Sequence, residues 1–266
     1  RAVKEFAKKE YDHAIMLLEK CLEIDANYRD AYYLIGLAHM EQRRIQPMQR
    51  TMKQMNRRFP EDKNGQLFLA LAFQLQGNMA EANKLYESAL ASMNTKDRAM
   101  MESVDLIASQ EDTASLTKAV TVSTDGDWKE AAPLTQFWNE QDPLLLTGFN
   151  ERRLEHYGRV AYANLRFSIP SKGVEGWKTV RGRTYIKYGR YRRRETSVAP
   201  WFSETWFYEG FRFTFRSLNG ITEWGFAGDV GPGGGAEVIL DDNTIDRLWL
   251  GNLQSMDSRA FNRSFN

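Results

Sequence analysis

The stretch Gly176-Trp177-Lys178-Thr179-Val180-Arg181-Gly182-Arg183-Thr184-Tyr185-Ile186-Lys187-Tyr188-Gly189 decides how the second half of this chain is read. From Arg183 onward, Arg183, Tyr185 and Lys187 alternate with Thr184, Ile186 and Tyr188, a period of two that predicts a strand with one basic and one largely apolar side. Gly182 and Gly189 permit backbone geometry that other residues resist. Downstream, three further strands are expected at Trp206 to Tyr208, at Phe211, Phe213 and Phe215, and at Thr222 to Phe226. Tyr208-Glu209-Gly210-Phe211 is short enough for a hairpin turn, and Asn219-Gly220 suits the positive φ angles of another. Upstream, Leu154, Tyr157, Val160, Ala161 and Asn164 recur at three- and four-residue steps, predicting a helix over about 150–167 with Asn150 as its cap. Another helix is expected through Trp128, Leu134 and Trp138, capped by Asp125 or Asp127 and ended near Asp142-Pro143.

Composition divides the chain. Residues 1–125 hold three of the nineteen glycines and no tryptophan, whereas residues 126–266 hold sixteen glycines and all seven tryptophans. Good helix formers dominate the first part; β-branched, aromatic and turn-forming residues dominate the second. The expected class is therefore α+β, with helices over 1–94, a helical connector over 95–131 in which residues 100–107 form a helix, and a sheet-containing domain over 132–266. A short element is expected over 244–250, after a glycine-rich loop at 229–235.

Within the first part, small residues recur at a spacing of 34, in the column Ala2, Gly36 and Ala70. Ala14, Met48 and Ala82 form a second column, Leu18, Met52 and Tyr86 a third, and Cys21, Met55 and Ala89 a fourth. These columns resemble the tetratricopeptide pattern, in which small residues let the two helices of each hairpin approach and larger ones fill the groove. The resemblance implies an N-terminally incomplete α-solenoid of helix hairpins over 1–94. Gln42-Arg43-Arg44-Ile45-Gln46 stands where the family has a glycine-containing bend. Met48, Met52 and Met55 read first as core filler and second as an adaptable peptide groove, and Cys21 as a small buried apolar residue.

Read with Phe137-Trp138, Asp142-Pro143, Asn150-Glu151 and Arg159-Val160-Ala161-Tyr162-Ala163-Asn164, the opening stretch resembles the GWxTD domain of bacterial cell-envelope proteins, a module without an established activity. The resemblance covers about residues 137–215 and implies structural roles for Gly176, Gly182, Gly189, Trp138, Asp142, Pro143, Arg159 and Asn164. Two departures stand out: Val180 follows Thr179 where the family has aspartate, and Tyr188-Gly189-Arg190-Tyr191 replaces its Tyr-Gly-Pro-Pro bend. The family further implies placement in the cell envelope, periplasmic or at the outer membrane, with a lipid anchor or signal upstream of Arg1.

Thirty-six basic against thirty-five acidic residues give a net charge of +1, so no whole-molecule field draws nucleic acid or an anionic membrane. A local concentration does exist, eight Lys or Arg between Lys178 and Arg194 with tyrosines among them. No phosphate loop, Cys-His cluster or metal-ligand spacing is present, so neither metal nor other cofactor is expected. Asp241-Asp242-Asn243 lacks the oxygen spacing of a calcium loop. The leading expectation is a non-catalytic scaffold subunit whose partners are other protein subunits, with Trp177, Arg181, Arg183, Tyr185 and Tyr188 as its binding face. A second reading is an enzyme with a pocket lined by Asp142, His156 and Arg181, and a third is a module for an anionic polymer.

Overall fold

The structure, a computed structural model, describes residues 5, 10–108, 132–142, 147–169, 173–197, 203–217 and 224–227. Expectations for Ala2, Asp125, Asp127, Trp128, Pro143, Asn219, Gly220 and residues 229–250 lie outside those residues. The chain forms two compact units, Arg1–Arg166 and Phe167–Asn266. Residue 131, where the expected connector ends, lies outside the described residues, and the first unit extends to Arg166.

The first unit begins with α1 (Tyr11–Ile24), α2 (Arg29–Glu41), α3 (Ile45–Arg58), α4 (Lys63–Leu75), α5 (Met79–Ser92) and α6 (Thr95–Glu102). The starts of α1, α3 and α5 fall at Tyr11, Ile45 and Met79, each 34 residues after the last, and α2 and α4 keep the same step. From α1 to α5, each helix packs on the next in sequence. Small residues permit this. A Cβ on Gly36 would lie 2.2 Å from the Met52 methyl, so the absent side chain makes room for the long one facing it. Met48, Met52 and Met55 are completely buried, as core filler requires.

Capping is done by Asp62, Asn78 and Asn94, whose side chains accept from the backbone N–H three residues on. Asp62 also links alternate helices, taking Arg29 Nη1 at 3.1 Å and the Tyr33 hydroxyl from α2. Burial, followed by that carboxylate, pushes the Tyr33 phenol far up. Lys63 and Asp97 connect α4 to α6 at 3.7 Å. In the turn between α4 and α5, Gly77 adopts φ +82°; 34 residues earlier the same position is Arg43, at φ +58°. Cys21 does not follow its column. It is exposed, while Met55 and Ala89 are buried.

The connector helix is α6, which starts and ends five residues earlier than residues 100–107 because Asn94 caps it. Val104 then packs with Phe137 and Trp138 of α7 (Ala132–Glu140). The next helix, α8 (Glu151–Phe167), takes Asn150 as its cap: Asn150 Oδ1 accepts from Arg153 N at 2.8 Å while Nδ2 donates to the Trp138 carbonyl at 2.5 Å.

In the second unit the opening stretch is not a strand. It forms a short 3-10 turn (Gly176–Lys178) and then α9 (Val180–Tyr188). The Thr179 hydroxyl caps α9 by accepting from Gly182 N at 3.0 Å and donating to Gly176 O at 2.7 Å. Gly189, at φ +70°, ends it. Six residues of alternation were too few to outweigh a cap and a terminator placed one helix length apart.

A four-stranded antiparallel meander follows, β1 (Arg193–Ser197), β2 (Ser203–Phe207), β3 (Arg212–Ser217) and β4 (Trp224–Ala227), in spatial order β1-β2-β3-β4. The three expected strands correspond to β2, β3 and β4, while β1 was not foreseen. The hairpin between β2 and β3 is closed by Tyr208 N donating to Phe211 O at 2.9 Å, with Gly210 at φ +80°. Register pairs Glu204 with Phe215 and Trp206 with Phe213, and all four side chains are buried on one face. The whole is α+β, helices followed by a small antiparallel sheet.

Candidate functional site

Around the quoted motif, glycine is a packing requirement. A Cβ on Gly182 would lie 1.9 Å from the Gly176 carbonyl oxygen, backbone that cannot step aside. This contact seats α9 directly on the 3-10 turn. It also turns Arg181 inward, where Nη1 reaches Glu204 Oε2 at 3.2 Å and the guanidinium lies 5.0 Å from the Phe167 ring centre. Glu204, also buried, accepts from Trp206 Nε1 at 2.7 Å and lies 3.7 Å from Arg194 Nη1. Two arginines and an indole N–H converge on this one carboxylate, which supplies the partners that a buried acid requires.

The five residues expected to make a binding face therefore divide. Arg181 and Tyr185 are interior, the latter with its ring 6.4 Å from Phe167 and 6.3 Å from Trp206. Trp177, Arg183 and Tyr188 are half-buried. Trp177 Nε1 donates to Glu175 at 3.0 Å under the Lys178 ammonium, and Tyr188 packs 5.0 Å from Phe213 and 5.4 Å from Phe211. Burial pushes the Tyr188 phenol up to about 12 and the neighbouring Lys187 ammonium down to about 8. The helix replaces one presumed face with two environments, an inner cluster on Glu204 and an aromatic flank at Tyr188.

In the first unit, the residues implied as structural are mostly internal. Trp138 and Asn164 are buried, Arg159 pairs with Glu155 (Nε to Oε1 3.1 Å), and Asp142 is half-buried just past α7. His156 has its ring 5.5 Å from Trp138 and 6.2 Å from Tyr157, and it faces the backbone of Met101 and Ser103. Burial first, then the Arg159 and Arg153 charges, push its imidazole down to about 3, so the ring is neutral. Of the three residues in the enzyme reading, His156 is enclosed by aromatic rings and Arg181 is held by Glu204.

Sequence reasoning missed where α8 goes. Its side chains meet four helices in turn: Arg166 Nε reaches Glu41 of α2 at 2.6 Å, Gln74 of α4 donates to the Leu154 carbonyl at 3.1 Å, Tyr157 packs 5.7 Å from Tyr86 of α5, and Arg153 Nη2 reaches Glu102 of α6 at 3.2 Å. Gly158 marks the closest approach, since a Cβ there would lie 2.2 Å from Gln74 Oε1. That lone mid-helix glycine was the available signal. Among the described residues no group of acidic, His or Cys side chains could hold a metal ion, and no helix is long and apolar enough to cross a membrane.

No protein-family model matches the chain, and no curated protein matches it either.

Proposed function

We propose that the chain is a non-catalytic protein–protein interaction subunit, a scaffold in a bacterial cell-envelope assembly, built as a tetratricopeptide-type solenoid followed by a GWxTD-like domain. One observation carries the reading: helix pairs recur every 34 residues, with the columns Ala14, Met48 and Ala82 and Leu18, Met52 and Tyr86 buried. Stacked helix pairs of that kind expose extended surfaces suited to a helix or peptide of another subunit. The polar groups a reaction would call upon are spent on packing, Arg181 on Glu204 and His156 between aromatic rings. Placement in the envelope, with an anchor upstream of Arg1, rests on the motif resemblance.

Photo-crosslinking in the native host tests this. Asp30 and Asn64 are exposed positions on α2 and α4, one 34-residue step apart, and Glu87 is an exposed control on α5. A crosslinking residue at the first two should give discrete heavier adducts that Glu87 does not give. The same weak smear at all three positions would refute an array that docks partners.

A further inference from the structure

We propose that α8 is a ligand held in cis by the helix array, occupying a surface that a partner's helix of the same chemistry takes over by exchange. The inference rests on the reading of the array as a docking surface.

The row of alternate helices α2, α4 and α6 is established by its own links, Arg29 and Tyr33 to Asp62 and Lys63 to Asp97. Across that row lies α8. Arg166 meets α2, Leu154 and Gly158 meet α4, and Arg153 meets α6. Thirteen residues separate Arg153 from Arg166, about 20 Å of helix, which matches two helix-to-helix steps of about 8–10 Å. A helix laid across an array in this way is how helix-in-groove recognition is built.

The surface has a defined chemical preference. Two acids, Glu41 and Glu102, have side chains only 7% and 1% exposed, and each meets an arginine of α8. Between them, Gln74 splits its amide: Nε2 bonds the helix backbone at Leu154, and Oε1 accepts from Tyr86 at 3.0 Å. Gly158 provides the flat spot that lets this amide reach α8, and Leu154, Tyr157, Ala161 and Leu165 are buried along the helix. A fitting helix thus carries an arginine, a Tyr-Gly pair four and five residues on, and a second arginine thirteen residues on. Glu102 also has Arg98 of its own helix at 3.5 Å, but losing the α8 arginines would still weaken the charge balance of both buried carboxylates, so this surface is more stable when filled and exchanges one basic helix for another.

The test uses the full chain and a fluorescein-labelled peptide of residues 150–167, read by anisotropy. Replacing both arginines in the chain, Arg153→Glu with Arg166→Glu, weakens its own α8 as a competitor, so the peptide should bind at least about tenfold more tightly than to the unaltered chain. Adding Glu41→Arg to that variant re-forms one pair in cis and should reverse the gain. A variant that keeps its helical circular dichroism yet binds the peptide no better than the parent overturns the proposal. Should the variant unfold, hydrogen exchange on the unaltered chain decides: α8 amides less protected than those of α2 and α4 support exchange, and equal protection overturns it. Peptide binding with no crosslinks at Asp30 or Asn64 would leave this inference standing and remove the scaffold function. Crosslinks without peptide binding would do the reverse.

Discussion

Acid should destabilise the first unit through His156, and replacing that single ring should remove its share of the pH dependence. The folded unit holds the imidazole neutral down to about 3, with its ring buried among Trp138 and Tyr157. In the unfolded chain the same ring takes up a proton below about 6.5. Above that value both states are neutral and nothing is lost. From about 6.5 down to about 3 the unfolded state binds more protons, so stability falls with pH, and below the folded value the loss is complete. The difference amounts to about 2 kcal/mol at pH 5 and approaches roughly 5 kcal/mol at full titration. His156→Phe keeps a planar ring and removes the titrating group; any constant cost of losing the imidazole beside the Met101 and Ser103 backbone drops out, because only the change with pH is compared. His39, also depressed by burial, is present in both proteins and cancels. Urea unfolding followed by circular dichroism at pH 8, 6.5 and 5 gives the comparison. The wild-type protein should lose about 2 kcal/mol more than His156→Phe between pH 8 and pH 5. Parallel losses in the two proteins would refute a buried, neutral imidazole.

Gly182→Ala should destabilise the second unit by about 2–4 kcal/mol in thermal unfolding, because the new methyl meets the Gly176 carbonyl at 1.9 Å; an unchanged transition would mean that α9 does not sit on that turn. Arg181→Met should cost about 3 kcal/mol by leaving Glu204 with less compensating charge, and adding Glu204→Leu should recover most of it. Failure of the double variant to recover would point to lost packing on Phe167 instead. Arg43→Gly should raise stability by about 0.5–1 kcal/mol, since Arg43 holds the left-handed conformation that Gly77 holds one repeat later. A lower melting temperature for that variant would show that the arginine side chain outweighs the strain.

The repeats were legible because their signal is periodic: Ala14, Met48 and Ala82, and Leu18, Met52 and Tyr86, stay in step over two cycles and all are buried. Strands β2 and β3 were legible for a similar reason, Trp206, Phe213 and Phe215 being apolar at alternate positions on one face. Residues 183–188 misled because alternating basic and aromatic side chains fit either a strand or a short helix. The features that decide between them, the Thr179 cap and the Gly182 contact with Gly176, lie outside that run. That error displaced the candidate site as well, since a helix turns Arg181 and Tyr185 inward. Local pattern also carries no information about partners as distant as those of α8. Gln74 and Leu154 are 80 residues apart, and Glu41 and Arg166 are 125. Glu204 as the seat of Arg181 was hidden for the same reason, an acid in a strand with nothing nearby in sequence to call attention to it.

Native mass spectrometry of the protein isolated gently from its own host tests the central claim most directly. The account predicts a species several times heavier than one chain, with distinct protein subunits in fixed ratio. A lone chain at native abundance, with no companion at any ratio, would contradict it.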